Sequence, residues 1–356
     1  MTADLPQRLA RRTLELVDVP SESGDEAALA AHVLAVLRAG GVACRDAADT
    51  CVLAGTTERG GRPLVLLAGH LDTVPAQGNR PGRIDRDAVH GLGASDMKGA
   101  LAVMMELALA LAGRETALDV GFVFFGREEL PFRDSALTPL LAREAGLRTA
   151  DLAVVMEPTA NALQLGCLGN LNATWTFTGR AGHSARPWLA DNAVHRAAAA
   201  VHALAQVPHE VHELAGLRYT EVVSVTRLEG GIARNVIPGE AVAHVNYRYP
   251  PGRSAEEAEA RLREWCAIDG TLEIVGNAPS GPVPGDNALV EALRAAGADP
   301  VEAKQAWTPV AEFGLAGVDA VNFGPGDPAF AHAADERVDA AALARSYEVL
   351  ERLACG

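Results

Sequence analysis

The chain has no excess of basic residues. Its 356 residues include 31 Lys and Arg against 46 Asp and Glu, a formal net charge of -15. Proteins that bind nucleic acid or anionic lipid headgroups use clustered basic side chains to neutralise phosphate. The composition therefore predicts that neither nucleic acid nor a membrane surface is a partner. It leaves an anionic substrate open, because a metal ion and a few arginines can set the local field of a site.

Closely spaced cysteines and long apolar runs are also missing. The five cysteines are Cys44, Cys51, Cys167, Cys266 and Cys355. Since no two have CxxC spacing, we expect reduced thiols in a cytoplasmic protein, without disulfides or a thiolate metal cluster.

Arg and Glu interrupt the N-terminal apolar pattern, which argues against a signal peptide. The apolar stretch 97–113 contains Lys98 and Glu106 and is shorter than the ~20 residues of a membrane span, so it predicts a buried helix.

The chain length favours two domains, or one domain with an insertion. Residues 5–18 have helical spacing, and Ser23-Gly-Asp-Glu26 resembles capping chemistry for a second helix that ends near Arg38. Apolar runs at 64–68, 120–125 and 152–156 then alternate with helical patterns at 99–112 and 136–145. This alternation predicts an α/β sheet covered by helices.

The pattern changes after about residue 170. Alternating residues at 172–178, an Ala-rich helix at 191–206, strands near 221–228 and 241–249 and a helix at 254–266 indicate a β-α-β-β-α-β unit. The α/β pattern resumes after the Pro- and Gly-rich stretch 277–286. We therefore predict one α/β domain formed by residues 1–165 and 277–356, into which an α+β domain of residues 166–276 is inserted.

His70 and Asp72 follow the apolar run LVLLA and, two apart on extended backbone, point to the same side. A metal-bound imidazole usually donates its second N–H to a carboxylate, so we expect Asp72 to orient His70 rather than to bind metal. An isolated HxD pair is more often a core histidine beside an acid. The pair gains weight only together with the other acidic residues.

Further acidic residues follow in chain order. Asp96 lies in the glycine-rich turn before the 99–112 helix, Glu128 and Glu129 follow the run that ends at Phe125, and Glu157 follows the run at 152–156. Adjacent carboxylates repel unless they are solvated or share cations. Acids at one rim of one sheet therefore predict a cation site, to which His332 in a late loop is a further candidate ligand.

These segments, GHLDTVP, GASDMKGA, the Glu-Glu pair, MEPT and a late loop histidine, resemble in the same order the dizinc M20 peptidases over nearly the whole chain. The resemblance implies a zinc-peptidase-like catalytic domain with two zinc ions per subunit, although cobalt or manganese would suit the same donors. It implies that His70 and Glu157 bind one metal, Glu129 and His332 the other, and that Asp96 bridges both. Glu128 matches the general base.

The inserted segment resembles the ferredoxin-like lid and dimerisation domain of that family. The motif Gly179-Arg-Ala-Gly-His183-Ser-Ala-Arg186-Pro187 implies a homodimer in which His183 acts at the partner subunit's site. Asn235 and Arg248 match positions that contact substrate carboxylates, for which a bidentate arginine is well suited. Arg186 is a weaker candidate for the same role.

Within the family, Gly166-Cys-Leu-Gly, Asn235-Val-Ile-Pro and Asn322-Phe-Gly-Pro-Gly-Asp resemble succinyl-diaminopimelate desuccinylases of Gram-positive type. The implied reaction is hydrolysis of N-succinyl-LL-2,6-diaminopimelate in lysine biosynthesis. That group tends to have Asp and Arg where this chain has Pro309 and Glu312, and an acid in place of a substrate-facing arginine would disfavour an anionic substrate. The segment 130–135 also departs from the family. Acetylornithine deacetylase and a glutamate-releasing carboxypeptidase therefore stay open as alternatives.

Two other classes of protein fit the sequence less well. A metal-free binding protein would have little reason to keep the full set of acids and both histidines, because unpaired clustered carboxylates cost stability. A serine or cysteine hydrolase lacks support, since the chain has no GxSxG motif and none of its cysteines has an evident histidine partner. We therefore expect a small N-acyl amino acid as the substrate of a metallohydrolase.

Overall fold

The computed structural model describes residues 5–356, so residues 1–4 of the predicted first domain lie outside the described part. The chain divides into two compact units. The first comprises residues 5–166, 282–304 and 308–356, and the second comprises Cys167–Gly281 together with Gln305–Trp307.

The first unit is built around a mixed sheet. Its helices are α1 (Leu5–Val17), α2 (Ala27–Ala39), α3 (Gly99–Leu111), α4 (Leu137–Arg143), α7 (Ala288–Ala295), α8 (Val310–Leu315) and α9 (Ala340–Cys355). Its strands are β1 (Cys44–Asp46), β2 (Val52–Gly55), β3 (Leu64–His70), β4 (Arg83–Asp85), β5 (Ala88–His90), β6 (Asp119–Phe125), β7 (Leu152–Val155), β8 (Leu163–Leu165), β16 (Val301–Ala303), β17 (Ala320–Asn322) and β18 (Arg337–Asp339).

The larger sheet has the strand order β1-β2-β6-β3-β7-β17-β8-β16. Its central strands β6, β3, β7 and β17 are mutually parallel. All seven residues of β3 are buried, as expected for a parallel strand covered on both faces. Because parallel strands end at the same edge, the segments that follow these four strands are brought together.

Helix α3 packs against this sheet and is buried over its first ten residues. The predicted buried helix is therefore confirmed. No helix in residues 5–356 is long and apolar enough to cross a membrane.

The second unit contains α5 (Ala193–Leu204), α6 (Ala255–Trp265), β9 (Gly169–Thr178), β10 (Gly182–His183), β11 (Glu210–Leu214), β12 (Leu217–Gly230), β13 (Val236–Ile237), β14 (Glu240–Tyr249) and β15 (Thr271–Ala278). Its antiparallel sheet has the order β11-β12-β14-β9-β15. Apart from the added β11, this is the ferredoxin-like arrangement of a β-α-β-β-α-β unit. Every second residue of β9 and β14 packs into the core with both helices, and the alternate residues lie on the other face.

The predicted α/β fold class with an added α+β unit is confirmed. One local interpretation was wrong. The Ser23–Glu26 segment does not cap α2 through a side chain, because the Glu26 side chain makes no capping hydrogen bond. Ser23 and Glu26 instead contact the segments that follow β3 and β6, which carry the predicted site residues.

Candidate metal centre

The carboxylate of Asp96 lies between two imidazoles. Its Oδ1 is 3.1 Å from Nε2 of His70, and its Oδ2 is 3.4 Å from Nε2 of His332. The same nitrogen of His332 lies 2.8 Å from Oε1 of Glu129. His70, Asp96 and Glu129 each offer a donor atom, and these atoms all lie within 4.8 Å of one another. This geometry suits a carboxylate that bridges two cations.

Glu157 completes this group at the end of β7. Its side chain is 8% exposed, and Oε1 is buried without a hydrogen-bond partner among the described residues, 3.9 Å from Nε2 of His70. Burial and the nearby Asp96 raise the pKa of Glu157 to about 7. A buried, unpartnered carboxylate oxygen beside an imidazole fits a metal ligand, since coordination would supply the missing partner.

The acids make the field of this site strongly negative. Hydrogen bonds that His332 donates to Asp96 and Glu129 raise its pKa to about 10. Burial opposes the charged form of His70, but the hydrogen bond with Asp96 and the charge of Glu157 hold its pKa well above the usual range. Burial and the charge of Glu157 likewise raise the pKa of Glu128. Such a field favours a bound cation, and imidazole with carboxylate donors suits divalent zinc, cobalt or manganese.

Asp72 acts on a different group from the one predicted. Nδ1 of His70 is hydrogen-bonded to the backbone carbonyl oxygen of Asp72 at 2.9 Å. Oδ1 of the Asp72 carboxylate lies farther from this nitrogen, at 3.7 Å. The carboxylate instead accepts the backbone N–H groups of Glu128 and Glu129, both at 3.0 Å. The prediction that this carboxylate orients His70 is therefore corrected. It holds the turn that carries the Glu-Glu pair, because β3 and β6 end side by side.

Two side chains that the sequence patterns did not indicate support this turn. Ser23 donates its hydroxyl to the Asp72 carboxylate at 2.8 Å. Glu26 is buried and accepts the N–H of Arg127 at 3.2 Å and that of Gly24 at 2.7 Å. Arg127 needs such support, since its φ of +60° is unusual for a residue with a side chain.

The loop that carries Asp96 is held by another missed residue, Glu336. This buried carboxylate accepts the backbone N–H groups of Gly93 at 2.7 Å, Ser95 at 3.0 Å and Asp96 at 2.9 Å. Gly93 has a φ of +78°, and a Cβ there would lie 2.7 Å from the side chain of Thr73, so glycine is required. Since Glu336 is four residues from His332, one loop supplies a candidate ligand and positions another.

The Glu312 side chain is buried inside the first unit and is not available to contact a substrate. It is 2% exposed, and its Oε1 accepts the hydroxyls of Ser135 at 2.8 Å and Thr138 at 2.7 Å, as well as the Thr138 N–H at 2.9 Å. Burial raises its pKa. The expectation that Glu312 repels an anionic substrate is therefore corrected. Ser135 lies in the segment 130–135, which also departs from the family. Glu312 and this segment therefore contact each other inside the first unit.

In the second unit, pairing of β10 with β13 brings the predicted residues His183 and Asn235 close together. Val236 is opposite His183, and Ser184 donates its N–H to the carbonyl oxygen of Asn235 at 3.0 Å. His183, Arg186 and Asn235 are all exposed. Arg248 lies elsewhere, eight residues along β14 from Glu240, which corresponds to about 26 Å. The pairing thus joins His183 with Asn235, and Arg248 lies near the other end of β14.

A second group of potential ligands, Glu210, His212 and Glu221, lies in this unit. Glu221 is buried and already bound by His212, Tyr247 and Arg253. Arg261 forms an ion pair with Glu210. Since arginines neutralise both acids, the group is a structural ion-pair network.

Imidazoles and carboxylates that converge at one sheet edge define the class of this protein, a metal-dependent amidohydrolase. The sequence matches the model of peptidase family M20/M25/M40 over residues 66–355, and the chain belongs to that family.

Relatives extend this assignment over nearly the whole chain. A Mycobacterium tuberculosis protein provisionally named succinyl-diaminopimelate desuccinylase DapE is 38% identical over 342 residues, 96% of each chain. A Corynebacterium glutamicum succinyl-diaminopimelate desuccinylase is 35% identical, with 94% of each chain covered. An N-acetyl-L-citrulline deacetylase of Xanthomonas campestris is 33% identical, covering 83% of this chain and 82% of that protein. The chain is thus a succinyl-diaminopimelate desuccinylase-like member of the family.

Solved structures agree on the fold. The M20 metallo-carboxypeptidase Sso-CP2 of Sulfolobus solfataricus superposes with a TM-score of 0.80 at 18% identity, over 97% of this chain and 98% of that chain. The YXEP protein of Bacillus subtilis, described as a dinuclear metal-binding peptidase of family M20, gives 0.70 at 17% identity, over 98% and 97%.

Proposed function

We propose that this protein is a two-zinc hydrolase that removes the succinyl group from N-succinyl-LL-2,6-diaminopimelate in lysine and diaminopimelate biosynthesis. Two relatives that bear the desuccinylase name match nearly the whole chain. The structural observation that carries the proposal is the Asp96 carboxylate, whose two oxygens each lie near a different imidazole. The buried position of Glu312 removes the main sequence argument against an anionic substrate.

In this proposal His70 and Glu157 would hold one zinc ion, Glu129 and His332 would hold the other, and Asp96 would serve as a ligand to both. Bound there, zinc would polarise the scissile carbonyl and make water a stronger acid. Two metals are also described for the Bacillus subtilis neighbour of the same fold. The orphaned Oε1 of Glu157 supports its place among the ligands.

Glu128 is the general base. Its side chain has no hydrogen-bond partner among the described residues, while its backbone is held by Asp72. The carboxylate is therefore available to take a proton from the attacking water and pass it to the leaving nitrogen. Asp72 contributes by fixing this turn.

The active assembly is a homodimer in which His183 of the partner subunit helps to stabilise the oxyanion and Asn235 of the partner subunit contacts the substrate. The position of Arg248 supports this, because it lies near the end of β14 that is farther from β13, whereas His183 and Asn235 lie together beside β13. Arg248 binds a substrate carboxylate. Arg186 is a further candidate for this role.

Removal of another acyl group is the second candidate function, favoured by the similarity to a deacetylase of N-acetylcitrulline. The test is amide hydrolysis by the zinc-loaded protein and its Glu128→Gln variant. The substrates are N-succinyl-LL-diaminopimelate, N-acetylornithine, N-acetylcitrulline and a panel of acyl-glutamates. Preferential desuccinylation that the variant loses supports the proposal. Preferential cleavage of another compound assigns the protein a different substrate within the family. If no compound is cleaved and the purified protein contains no metal, the enzyme assignment is overturned.

A further inference from the structure

Arg248 is a partly buried cation without an acidic partner. It lies on the sheet face opposite α5 and α6, since its neighbours Tyr247 and Tyr249 on β14 point into the core. Burial lowers its pKa, and no carboxylate in residues 5–356 forms an ion pair with it. Desolvation of a guanidinium is costly unless an anion offsets it. A ligand carboxylate would supply that anion.

Three asparagines surround the base of this side chain. Nε of Arg248 donates to Oδ1 of Asn246 at 2.9 Å. Nδ2 of Asn246 donates to the side-chain oxygens of Asn170 and Asn172, both at 2.8 Å. Since both hydrogens of the Asn246 amide are bound, its oxygen is fixed toward Arg248. The described residues give the two Nη groups of Arg248 no acceptor.

The sheet itself does not require these asparagines. Asparagine is among the residues least favoured in strands, where β-branched and aromatic side chains predominate. Here three are clustered on β9 and β14, two adjacent strands in the interior of the sheet, with Asn172 directly opposite Asn246. The asparagine cluster is unfavourable for the strands, and its contact with a cation is the hydrogen bond between Asn246 and Arg248. This points to a role in orienting the Arg248 guanidinium.

We propose that Asn246 is a positioning residue that, held by Asn170 and Asn172, fixes the Arg248 guanidinium so that both Nη groups face a substrate carboxylate. The inference rests on the proposed function, in which the substrate carries three carboxylates. A guanidinium held at Nε keeps its two Nη donors as a fork that matches a carboxylate. Less side-chain entropy is then lost when the substrate binds.

The test is the isosteric substitution Asn246→Asp, which gives Arg248 an internal counter-ion that competes with the substrate. We expect KM for N-succinyl-LL-diaminopimelate to rise about 10- to 100-fold, the loss of one charge-assisted contact, with kcat within about threefold of wild type. Asn246→Thr, which suits a strand but lacks the amide, should raise KM less. Thr174→Val, on the same face of β9, is the matched control and should leave both constants unchanged.

A double-mutant cycle with Arg248→Gln separates positioning from a general structural effect. If Asn246 acts through Arg248, Asn246→Asp adds little in the Arg248→Gln background. Substrate analogues in which each carboxylate in turn is a carboxamide provide a second readout. For the analogue that lacks the carboxylate bound by Arg248, the difference in KM between wild type and Asn246→Asp should disappear. An unchanged KM, or a rise that persists in the Arg248→Gln background and with all three analogues, overturns the inference.

Failure of the proposed substrate is detected separately. If the wild type does not cleave the succinylated compound, calorimetric titration of the zinc-loaded variants with succinate tests the positioning role alone. A dissociation constant at least tenfold weaker for Asn246→Asp than for wild type supports it. Equal affinity, or no binding to the wild type, overturns it.

Discussion

The role assigned to Asp72 predicts a specific kinetic defect. Its carboxylate is fully buried and accepts three hydrogen bonds, from the N–H groups of Glu128 and Glu129 and from the hydroxyl of Ser23. In Asp72→Asn the amide has one acceptor oxygen, so at least one N–H of the turn faces an NH2 group. A lost hydrogen bond to a charged acceptor costs about 1.5–3 kcal/mol.

Because the lost bond holds the turn that carries the general base, most of this energy should appear as misplacement of Glu128. We expect kcat to fall about 10- to 100-fold, since displacement of a catalytic group by about 1 Å can cost 100-fold. Asp72→Ala would leave the part-buried N–H groups of Glu128 and Glu129 unpaired, while Ser23 keeps the Thr73 carbonyl as acceptor, and should also lower the free energy of unfolding by about 3 kcal/mol. Steady-state kinetics at saturating zinc and urea unfolding measure the two effects.

Ser23→Ala is the matched control, because it removes one donor and leaves both turn N–H groups bound. Its kcat should remain within a fewfold of wild type. Metal content distinguishes the two roles considered for Asp72. If the carboxylate served mainly to orient His70, Asp72→Asn would lose zinc, and added zinc would restore its activity. A kcat within twofold of wild type at saturating zinc would refute the reasoning.

Three further predictions concern residues far apart in the sequence. Burial raises the pKa of Glu312. The contribution of this group to the free energy of unfolding is therefore fully present below the unfolded pKa of about 4.3, and it is lost as the pH rises through the folded pKa. The stability of Glu312→Gln relative to wild type, measured by urea unfolding, should therefore increase from pH 5 to pH 8. Glu336→Ala, which frees three N–H groups of the Asp96 loop, should weaken zinc binding about 10- to 100-fold in a competition titration with a chelator. Mixed Glu128→Gln and His183→Ala subunits, each inactive alone, should recover about a quarter of wild-type activity, since half of the dimers carry one intact site.

Each of these predictions has a contradicting outcome. A stability difference for Glu312→Gln that is constant or falls with pH would contradict a raised pKa. Wild-type zinc affinity in Glu336→Ala would show that the Asp96 loop holds its shape unaided, and Glu348→Ala, on helix α9, is a control with the same loss of charge. No recovery in the mixed subunits would show that His183 does not act in trans.

The sequence predicted the fold class well, because the fold class depends on local patterns. Apolar runs predicted β3, β6 and β7, and a carboxylate directly after a buried strand must lie at the edge of the sheet. The partner of a side chain is not a local property. Spacing could not show that His70 would bond the backbone carbonyl of Asp72 instead of its carboxylate.

Two of the missed residues share one physical property. Glu26 and Glu336 are buried carboxylates whose partners are backbone N–H groups, and every residue except proline carries such a group. No residue type in the partner segment therefore signals the contact. Glu312 was misassigned for a related reason, because Ser135 and Thr138, whose hydroxyls donate to its carboxylate, lie far away in the sequence.

The contact between Glu336 and the Asp96 loop joins residues 240 positions apart. During synthesis at about 5–20 residues per second, the chain that carries Asp96 therefore waits on the order of 10–50 s before Glu336 is made. For nearly all of this interval His332 is also missing, so with the proposed ligand set the four earlier residues cannot form the complete metal centre. With the proposed ligand set, hydrolytic activity consequently begins only after this loop has been synthesised, and a chain that stops before the loop is released without activity.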